Sequence, residues 1–182
     1  KWLNEISHRH PLWIHPADAE QLGIDEGGLV RVSTRIGHFV IMAWRTEGIR
    51  PGVVAASHHM GRWRLEEDQA RSWGAGKASI SHDGTTWRLR RDHGNEPYPS
   101  SDPDTGRIWW NDTGVHQNAT FCVQPDPISG MQCWHQRVRV GSAQAGDAYG
   151  DVVVDTARSR EAYLDWLAKT RPPTGELRRP IV

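Results

Sequence analysis

The alternation of apolar and polar residues is clearest in the first third of the chain. PLWI (11–14) predicts a short apolar strand, and LVRVST and HFVIMAWRT predict two half-buried strands joined by a turn at RIG. VVAAS, after the turn IRPG, predicts a further strand. In PADAEQLG, Pro16 stands at a helix start and Gly23 just past its end, which is typical of a short helix. We therefore expect an all-β unit with one short helix.

The pattern is weaker after this unit. From residue 66 to 112, Gly, Ser, Asp and Pro are frequent and only KASISH and TWRLRR resemble strands, which predicts a loop-rich excursion. WWNDTGVHQNATFCVQPDPISGMQCWHQRVRV predicts a loop region that ends in the strand QRVRV. ARSREAYLDWLAKTR sets apolar residues among charges and predicts one surface helix, followed by a tail.

Composition limits the classes of function. With 182 residues and 37% hydrophobic content, the chain is long enough for one domain with an appendage. The 22 basic and 22 acidic residues cancel, so that any anion site must be local. No apolar run approaches the roughly 20 residues of a spanning helix. The opening KWLNEIS resembles neither a signal peptide nor a linker, and we expect the chain to be a fragment of a larger protein.

Tryptophan and cysteine usage adds two expectations. The chain has ten tryptophans and two phenylalanines. Four indoles are expected in core or rim packing, and two in glycine-rich loops are expected to face a ligand; these are, respectively, Trp13, Trp44, Trp87 and Trp166, and Trp63 and Trp134. Cys122 and Cys133 form no C-x-x-C pair, which argues against an iron–sulfur cluster or structural zinc built from this chain alone. A disulfide between them stays open.

Several catalytic constellations are missing from the sequence. There is no G-x-S-x-G, and SWGAGKAS lacks the glycine spacing of a phosphate-binding G-x-x-x-x-G-K-[ST] loop. His58 and His59 are adjacent, so that neither a strand nor a helix turns both toward one metal ion. His8 and His10 form an H-x-H pair at the start of the chain, which is a weak metal signal. We expect neither a nucleophile nor a metal ligand in this chain.

Three separate loops share one chemistry. ASHHMGRWRL (56–65) combines imidazole and guanidinium donors with a glycine and an indole face. GVHQNAT (114–120) adds an imidazole, two carboxamides and a hydroxyl, and SGMQCWHQ (129–136) is similar. A carboxamide offers a donor beside an acceptor, which suits a heterocyclic base. The loops together indicate one extended, nucleotide-like ligand; the alternative is that they are ordinary turns on a β scaffold.

The residues of the β unit carry a family resemblance. The stretch from NEISHRHPLWIHPADAEQ to GIRPGVV resembles the start of the C-terminal dinucleotide-binding domain of molybdopterin oxidoreductases, the dimethyl sulfoxide reductase family. The matching residues are Pro11, Ile14, Pro16, Asp18, Ala19, Gly23, Ile24, Gly27, Val30, Val32, Ser33 and Gly37. GVHQNATF and DPISGMQCWHQRVRV resemble the family's closing segment, and residues 66–107 lie outside the resemblance. His10 and Gly28 depart from the pattern, which has Asn and usually Asp there.

The resemblance implies a mainly β fold: a double-psi β-barrel with short helices, an irregular loop excursion and a C-terminal surface helix. It implies a dinucleotide-binding barrel domain over residues 1–145, with a loop-rich insertion at 66–107, and a helix and tail over 146–182. The implied ligand is molybdopterin guanine dinucleotide, in the bis form in the parent enzyme, with molybdenum or tungsten held outside this chain. The family's metal-ligating residue and iron–sulfur cysteines would lie upstream, so that no catalytic residue is carried over.

The resemblance also suggests which residues contact the cofactor. They are His58, His59, Gly61, Arg62, His116, Gln117, Asn118, Thr120, Trp134, His135 and Gln136. The histidines and arginines would donate to pterin and phosphate oxygens, and protonated His or Arg would tune the metal's potential. The implied partners are the N-terminal catalytic and iron–sulfur domains of the same protein and an electron-transfer subunit, with no nucleic acid and no membrane insertion. The resemblance leaves the compartment open between a bacterial or archaeal cytoplasm and a periplasm.

Two other functions stay open at this point. The chain could be a free-standing barrel that serves as a binding or assembly module and binds no pterin. It could also bind single-stranded nucleic acid through WRLRR and exposed indoles. The balanced net charge argues against the second alternative.

Overall fold

The computed structural model describes residues 10–57, 63–64, 76–91, 114–126, 128–132 and 135–170. Over these residues the chain is mainly β, with nine strands, two α-helices and one 3₁₀ turn. The strands are β1 (Pro11–Ile14), β2 (Leu29–Ser33), β3 (Gly37–Arg45), β4 (Val54–Ala56), β5 (Trp63–Arg64), β6 (Gly76–Asp83), β7 (Thr86–Arg91), β8 (Arg139–Ser142) and β9 (Val152–Asp155). The helices are α1 (Pro16–Gln21) and α2 (Thr156–Lys169), and the 3₁₀ turn is Gln117–Thr120.

The long strand β3 organises the sheet. β2 pairs antiparallel along one side of it, and β8 pairs with the other edge of β2. On its second side, β3 pairs antiparallel with β9 through Gly37–Phe39 and then parallel with β1 through Met42–Arg45. β4 lies outside β1, whereas the hairpin β6–β7 extends the sheet beyond β9. The described strands form an open mixed sheet, so the expected double-psi barrel is not confirmed.

The core lies on one face of β2 and β3. Val30 is paired with Ile41 and Val32 with Phe39, and these four side chains are at most 2% exposed. This is the alternation predicted from LVRVST and HFVIMAWRT, since residues two apart in a strand share a face. Further buried side chains from β1, β3, β9, α1 and two connecting segments complete the cluster, namely Leu12, Ile14, Ala19, Ile24, Ala43, Val115 and Val152.

The helix signals around α1 are confirmed. His15 caps the helix with its Nδ1, which accepts a hydrogen bond from the backbone N–H of Ala17 at 3.2 Å, and Pro16 is the first helical residue. Gly23 follows the end of the helix with φ of 63°. Ala19 buries the inner face of α1 against the sheet.

Gly37 allows β9 to approach β3 closely. A Cβ on Gly37 would stand 2.0 Å from the carbonyl oxygen of Val153, a contact that no side chain could accept. Gly37 is itself paired with Val154. The glycine is therefore required by the strand contact rather than by a turn.

The second half of the chain departs from the sequence-based expectations in places. KASISH and TWRLRR are confirmed as strands, but they form one hairpin that joins the main sheet through β9. The strand expected at QRVRV begins later, at Arg139, and β9 was not predicted. The C-terminal helix is confirmed as α2, which Asp155 caps and which packs through Ala162 against Ile36 and Cys122. Among the described residues, no helix is long and apolar enough to cross a membrane.

The tryptophans assigned to core or rim packing lie at the rim. Trp13, Trp44 and Trp87 are 39%, 40% and 42% exposed, and Trp166 is partly buried. Trp13 and Trp44 pack edge to face with ring centroids 4.8 Å apart. The core is mostly aliphatic instead, with Phe39 among its buried side chains.

Candidate functional site

A cavity of about 930 Å³ opens between α1, β4 and the segments around residues 117–121 and 135–140. Its wall is mostly apolar, with Leu12, Ile14 and Phe39 from the sheet. Gln117, His135 and Gln136 supply polar groups. Two of the three loops singled out in the sequence therefore reach one cavity, as a pocket for a planar polar ligand requires.

Gln117 lines this cavity and has a buried amide. Its side chain is only 3% exposed, and its Nε2 donates to the carbonyl oxygens of Ala56 at 3.2 Å and Ser57 at 3.0 Å. These two bonds fix the orientation of the amide, because a carbonyl oxygen can only accept. Oε1 is buried and has no hydrogen-bond partner within the described residues. A buried acceptor without a partner is costly, so a ligand N–H there would be stabilising.

The amide nitrogen of Gln136 is a hydrogen-bond donor and so complements the Gln117 acceptor. Its Nε2 is buried and likewise has no partner in the part of the chain that the structure describes. Two residues that line the cavity thus each have a buried polar atom without a partner among the described residues, an acceptor in Gln117 and a donor in Gln136. A planar heterocycle with an N–H beside a carbonyl oxygen matches that pair.

Thr120 holds the 3₁₀ turn and does not face the cavity. It is completely buried, and its hydroxyl donates to the carbonyl oxygen of Gln117 at 2.7 Å. Its own carbonyl oxygen accepts from the Thr34 hydroxyl at 2.5 Å. The hydroxyl of Thr120 is thus used inside the turn, and its predicted contact with a cofactor stays a prediction. Asn118, one residue after Gln117, is exposed.

His116 carries no positive charge near neutral pH. Burial, with a further contribution from the nearby Arg91 guanidinium, lowers the pKa of His116 to about 4. A charge-assisted hydrogen bond from His116 is therefore not expected near neutral pH. A neutral imidazole still offers one N–H and one acceptor nitrogen.

Five of the predicted contact residues lie outside the described residues, namely His58, His59, Gly61, Arg62 and Trp134. The described chain reaches the cavity just before position 58, since Gln117 is bonded to the carbonyl oxygens of Ala56 and Ser57. All of the predicted contacts that the structure describes belong to the other two loops.

His10 has a structural role. It is fully buried, and its Nδ1 accepts a hydrogen bond from the backbone N–H of Val115 at 3.0 Å. An asparagine Oδ1 can accept in the same way, which explains how His10 can replace the residue of the family pattern. Within the described residues, no group of three or more His, Cys, Asp or Glu side chains could hold a metal ion.

Two side chains that support the site were not predicted from the sequence. Arg91 from β7 and Tyr149 from the loop before β9 both bond to Gly114, at the start of the segment that leads into Gln117. Arg91 belongs to the basic run RLRR, which gave no sign of burial. Tyr149 precedes a glycine in a short polar loop, and this sequence context does not indicate a supporting role either.

Comparison with known families gives one match. The model described as Molydopterin dinucleotide binding domain matches residues 1–96. This span includes β6 and β7, so the relationship extends into residues 66–107, which the resemblance had left out. The match ends before the loops at 114–120 and 135–136. No solved structure matches the chain.

Curated relatives match shorter parts of the chain. An arsenate respiratory reductase molybdopterin-containing subunit from Chrysiogenes arsenatis is 37% identical over 70 residues, which are 38% of this chain and 8% of the relative. A tetrathionate reductase subunit from Archaeoglobus fulgidus is 32% identical over 34% of this chain and 6% of its own length. A trimethylamine-N-oxide reductase from Haemophilus influenzae is 40% identical over 32% of this chain and 7% of its own length. The chain thus spans a small part of each of these proteins.

Proposed function

Because the chain belongs to the family of molybdopterin dinucleotide-binding domains, we propose that it is the C-terminal cofactor-binding domain of a molybdenum or tungsten oxidoreductase and holds molybdopterin guanine dinucleotide. The curated relatives support this proposal, since they are named as reductases or reductase subunits. The metal supplies the redox chemistry when the cofactor is bound. The residues of this chain bind the dinucleotide and orient it.

The buried amides of the cavity carry the proposal. Guanine and the pterin ring each present a ring N–H next to a carbonyl oxygen. The partnerless Oε1 of Gln117 can accept from such an N–H, and the Nε2 of Gln136 can donate to such an oxygen. The side chains that line the cavity therefore fit either ring. The apolar wall formed by Leu12, Ile14 and Phe39 would make the surroundings of a bound ring less polar and so strengthen both bonds.

The remaining predicted contacts are assigned roles within the same proposal. Asn118 and His135 would lie at the rim of the cavity, since both are exposed. His58, His59, Gly61 and Arg62 would approach the phosphates from the loop that follows β4, and Trp134 would offer a ring face. His116 would take part as a neutral imidazole.

The proposal includes the parent enzyme. Two dinucleotides would hold one metal, and the proposal keeps residues 1–145 as a double-psi barrel domain. The partners would be the catalytic and iron–sulfur domains of the same protein and an electron-transfer subunit. The small share of each relative that the chain matches is consistent with this arrangement.

The direct test is the cofactor content of the protein that contains this chain, purified anaerobically. Acid hydrolysis should release GMP from bound dinucleotide, and elemental analysis should find molybdenum or tungsten with it. Protein that lacks both guanine nucleotide and metal after expression in a host that makes the cofactor would contradict the proposal.

A variant sharpens this test. Gln136→Leu removes a donor whose atom has no partner in the described residues, so the fold should survive. Loss of one hydrogen bond to the ligand should weaken dinucleotide retention by about three- to tenfold. Gln124→Leu is the matched control, because Gln124 does not line the cavity. Equal retention in both variants would remove Gln136 from the site.

A further inference from the structure

The segment that leads into Gln117 is held by side chains from distant parts of the chain. The backbone N–H of Gly114 donates to the Tyr149 hydroxyl at 2.9 Å, and this hydroxyl donates to the carbonyl oxygen of His10 at 3.2 Å. Arg91 Nη1 donates to the carbonyl oxygen of Gly114 at 2.6 Å. The N–H of Val115 donates to His10 Nδ1. The N–H and carbonyl oxygen of Gly114 and the N–H of Val115 are therefore all held by hydrogen bonds.

Arg91 is an unusual anchor because it is a buried cation. Only 6% of the residue is exposed, and burial lowers its pKa below the ordinary value. Its guanidinium carbon lies 5.8 Å from the centre of the Tyr149 ring, at a distance where a cation is attracted to an aromatic face. Placing a charge in the interior is expensive, and such groups are often retained for a specific geometry.

The backbone is shaped to admit Arg91. A Cβ on Gly150 would lie 2.4 Å from Arg91 Cδ, and Gly150 has φ of 90°. A residue other than glycine would therefore be strained and would also displace the arginine. The side chain of Arg91 runs from β7 past Gly150, and its guanidinium group ends at the carbonyl oxygen of Gly114.

We propose that Arg91 and Tyr149 are positioning residues, which hold segment 114–120 so that Gln117 presents its Oε1 to the cavity. The inference rests on the proposed cofactor function of that cavity. It gives the hairpin β6–β7 a role in the site, although the hairpin itself does not line the cavity. Neither residue touches the ligand; both act through the backbone of Gly114.

Amide hydrogen exchange tests this positioning role without any ligand. In Arg91→Met, the amides of residues 114–120 should exchange about tenfold faster or more, because a bond from a charged donor is lost. Arg91→Lys, which keeps the charge, should restore part of the protection. Tyr149→Phe keeps the ring and removes only the hydroxyl, so it should loosen Gly114 even if Arg91→Met fails to fold.

Two controls separate positioning from general loss of stability. Arg88→Met changes an exposed arginine on the same strand. Arg35→Met removes a side chain that bonds to Asp165 of α2 and reaches neither Gly114 nor the loop that carries Tyr149. Faster exchange in segment 114–120 should be specific to Arg91 and Tyr149. Unchanged exchange there in Arg91→Met and Tyr149→Phe, or the same increase in Arg35→Met, would overturn the proposal.

Cofactor retention is the second measurement. Dinucleotide content, measured as GMP released from the anaerobically purified protein, should fall about three- to tenfold in Arg91→Met and Tyr149→Phe and stay unchanged in Arg88→Met. A loosened segment with full retention would overturn the positioning role. If the wild-type protein retains no dinucleotide, the proposed function fails, and hydrogen exchange alone then decides whether the two residues hold the segment.

Discussion

The first four strands and the segment between residues 114 and 151 are held together in different ways. Residues 11–56 are joined by strand pairing and by a continuous aliphatic core. The later segment contains the 3₁₀ turn and β8 and otherwise has little regular structure among its described residues. Side chains hold it in place instead. The first region forms a scaffold, and the second displays polar groups of the candidate site.

Two arginines fasten the loop between β8 and β9. Arg31 Nε and Nη2 bond to the two oxygens of Asp147 at 3.0 and 2.5 Å, and Arg90 Nε and Nη2 bond in the same way to Asp151, also at 3.0 and 2.5 Å. Each carboxylate also accepts a backbone N–H from its own loop, from Gln144 and Ala148 respectively. Such bidentate pairs are directional as well as strong. These side-chain bonds add to the few backbone bonds between the loop and strands β2 and β3 and give the loop one conformation.

The contrast shows how a binding site is built on a β scaffold. Apolar burial is not directional and tolerates small shifts, whereas hydrogen bonds require a defined geometry. The polar atoms of the candidate site lie in the segment between residues 114 and 151, whose position depends on hydrogen bonds. We therefore expect mutations in the scaffold to change stability most, and mutations in the later segment to change stability less and the site more.

The largest effect is expected in the scaffold. Ile14→Ala should lower the free energy of unfolding by about 2–5 kcal/mol, because the side chain is fully buried and leaves a cavity. Ile80→Ala is the control, since Ile80 is 40% exposed in β6. Chemical denaturation of both variants measures the difference. A loss at Ile80 as large as that at Ile14 would contradict the placement of the core.

A smaller effect is expected at the loop. Arg31→Met should lower the free energy of unfolding by about 2–3 kcal/mol, because Asp147, nearly buried, loses both bonds to the guanidinium. Arg139→Met, on the neighbouring strand β8, should stay within about 0.5 kcal/mol because Arg139 is exposed. If the two variants are equally stable, the bidentate pair does not hold the loop.

The smallest effect concerns pH. The pKa of His116 is about 4 in the folded chain and 6.5 in the unfolded chain, so the unfolded state binds a proton first as the pH falls. Folding stability should therefore fall between pH 6.5 and 4, and Tm should be lower at pH 5 than at pH 7. His116→Gln should lose part of this slope, measured by thermal unfolding at both values. Identical slopes in the two proteins would show that His116 is not buried as a neutral group.

Sequence patterns predicted the elements of the scaffold better than those of the later segment. The strands β1 to β4 and helix α1 were predicted because local alternation and end signals such as Pro16 and Gly23 were present. β9 was not predicted, because the apolar run VVV is short and does not alternate. It is a strand because it pairs with both β3 and β7, which are distant in the chain.

The candidate site was predictable in composition and not in geometry. GVHQNAT was recognised as a set of polar groups suited to a heterocycle, and Gln117 lines the cavity. Nothing local distinguishes Gln117 from Thr120, which is buried and bonded within the turn. The neutral state of His116 depends on burial and on Arg91, 25 positions away in the chain.

The amino-acid sequence by itself determined the family, the mainly β character and the chemistry of the loops, because these depend on residue types and on short-range periodicity. Tertiary structure alone decided that the sheet branches at β3, that Gly37 admits β9, and which polar atoms remain without a partner at the cavity. The physical reason is that burial and hydrogen bonding depend on which distant residues meet. Arg91 reaches Gly114 only after β7, β9 and β3 have been assembled into one sheet.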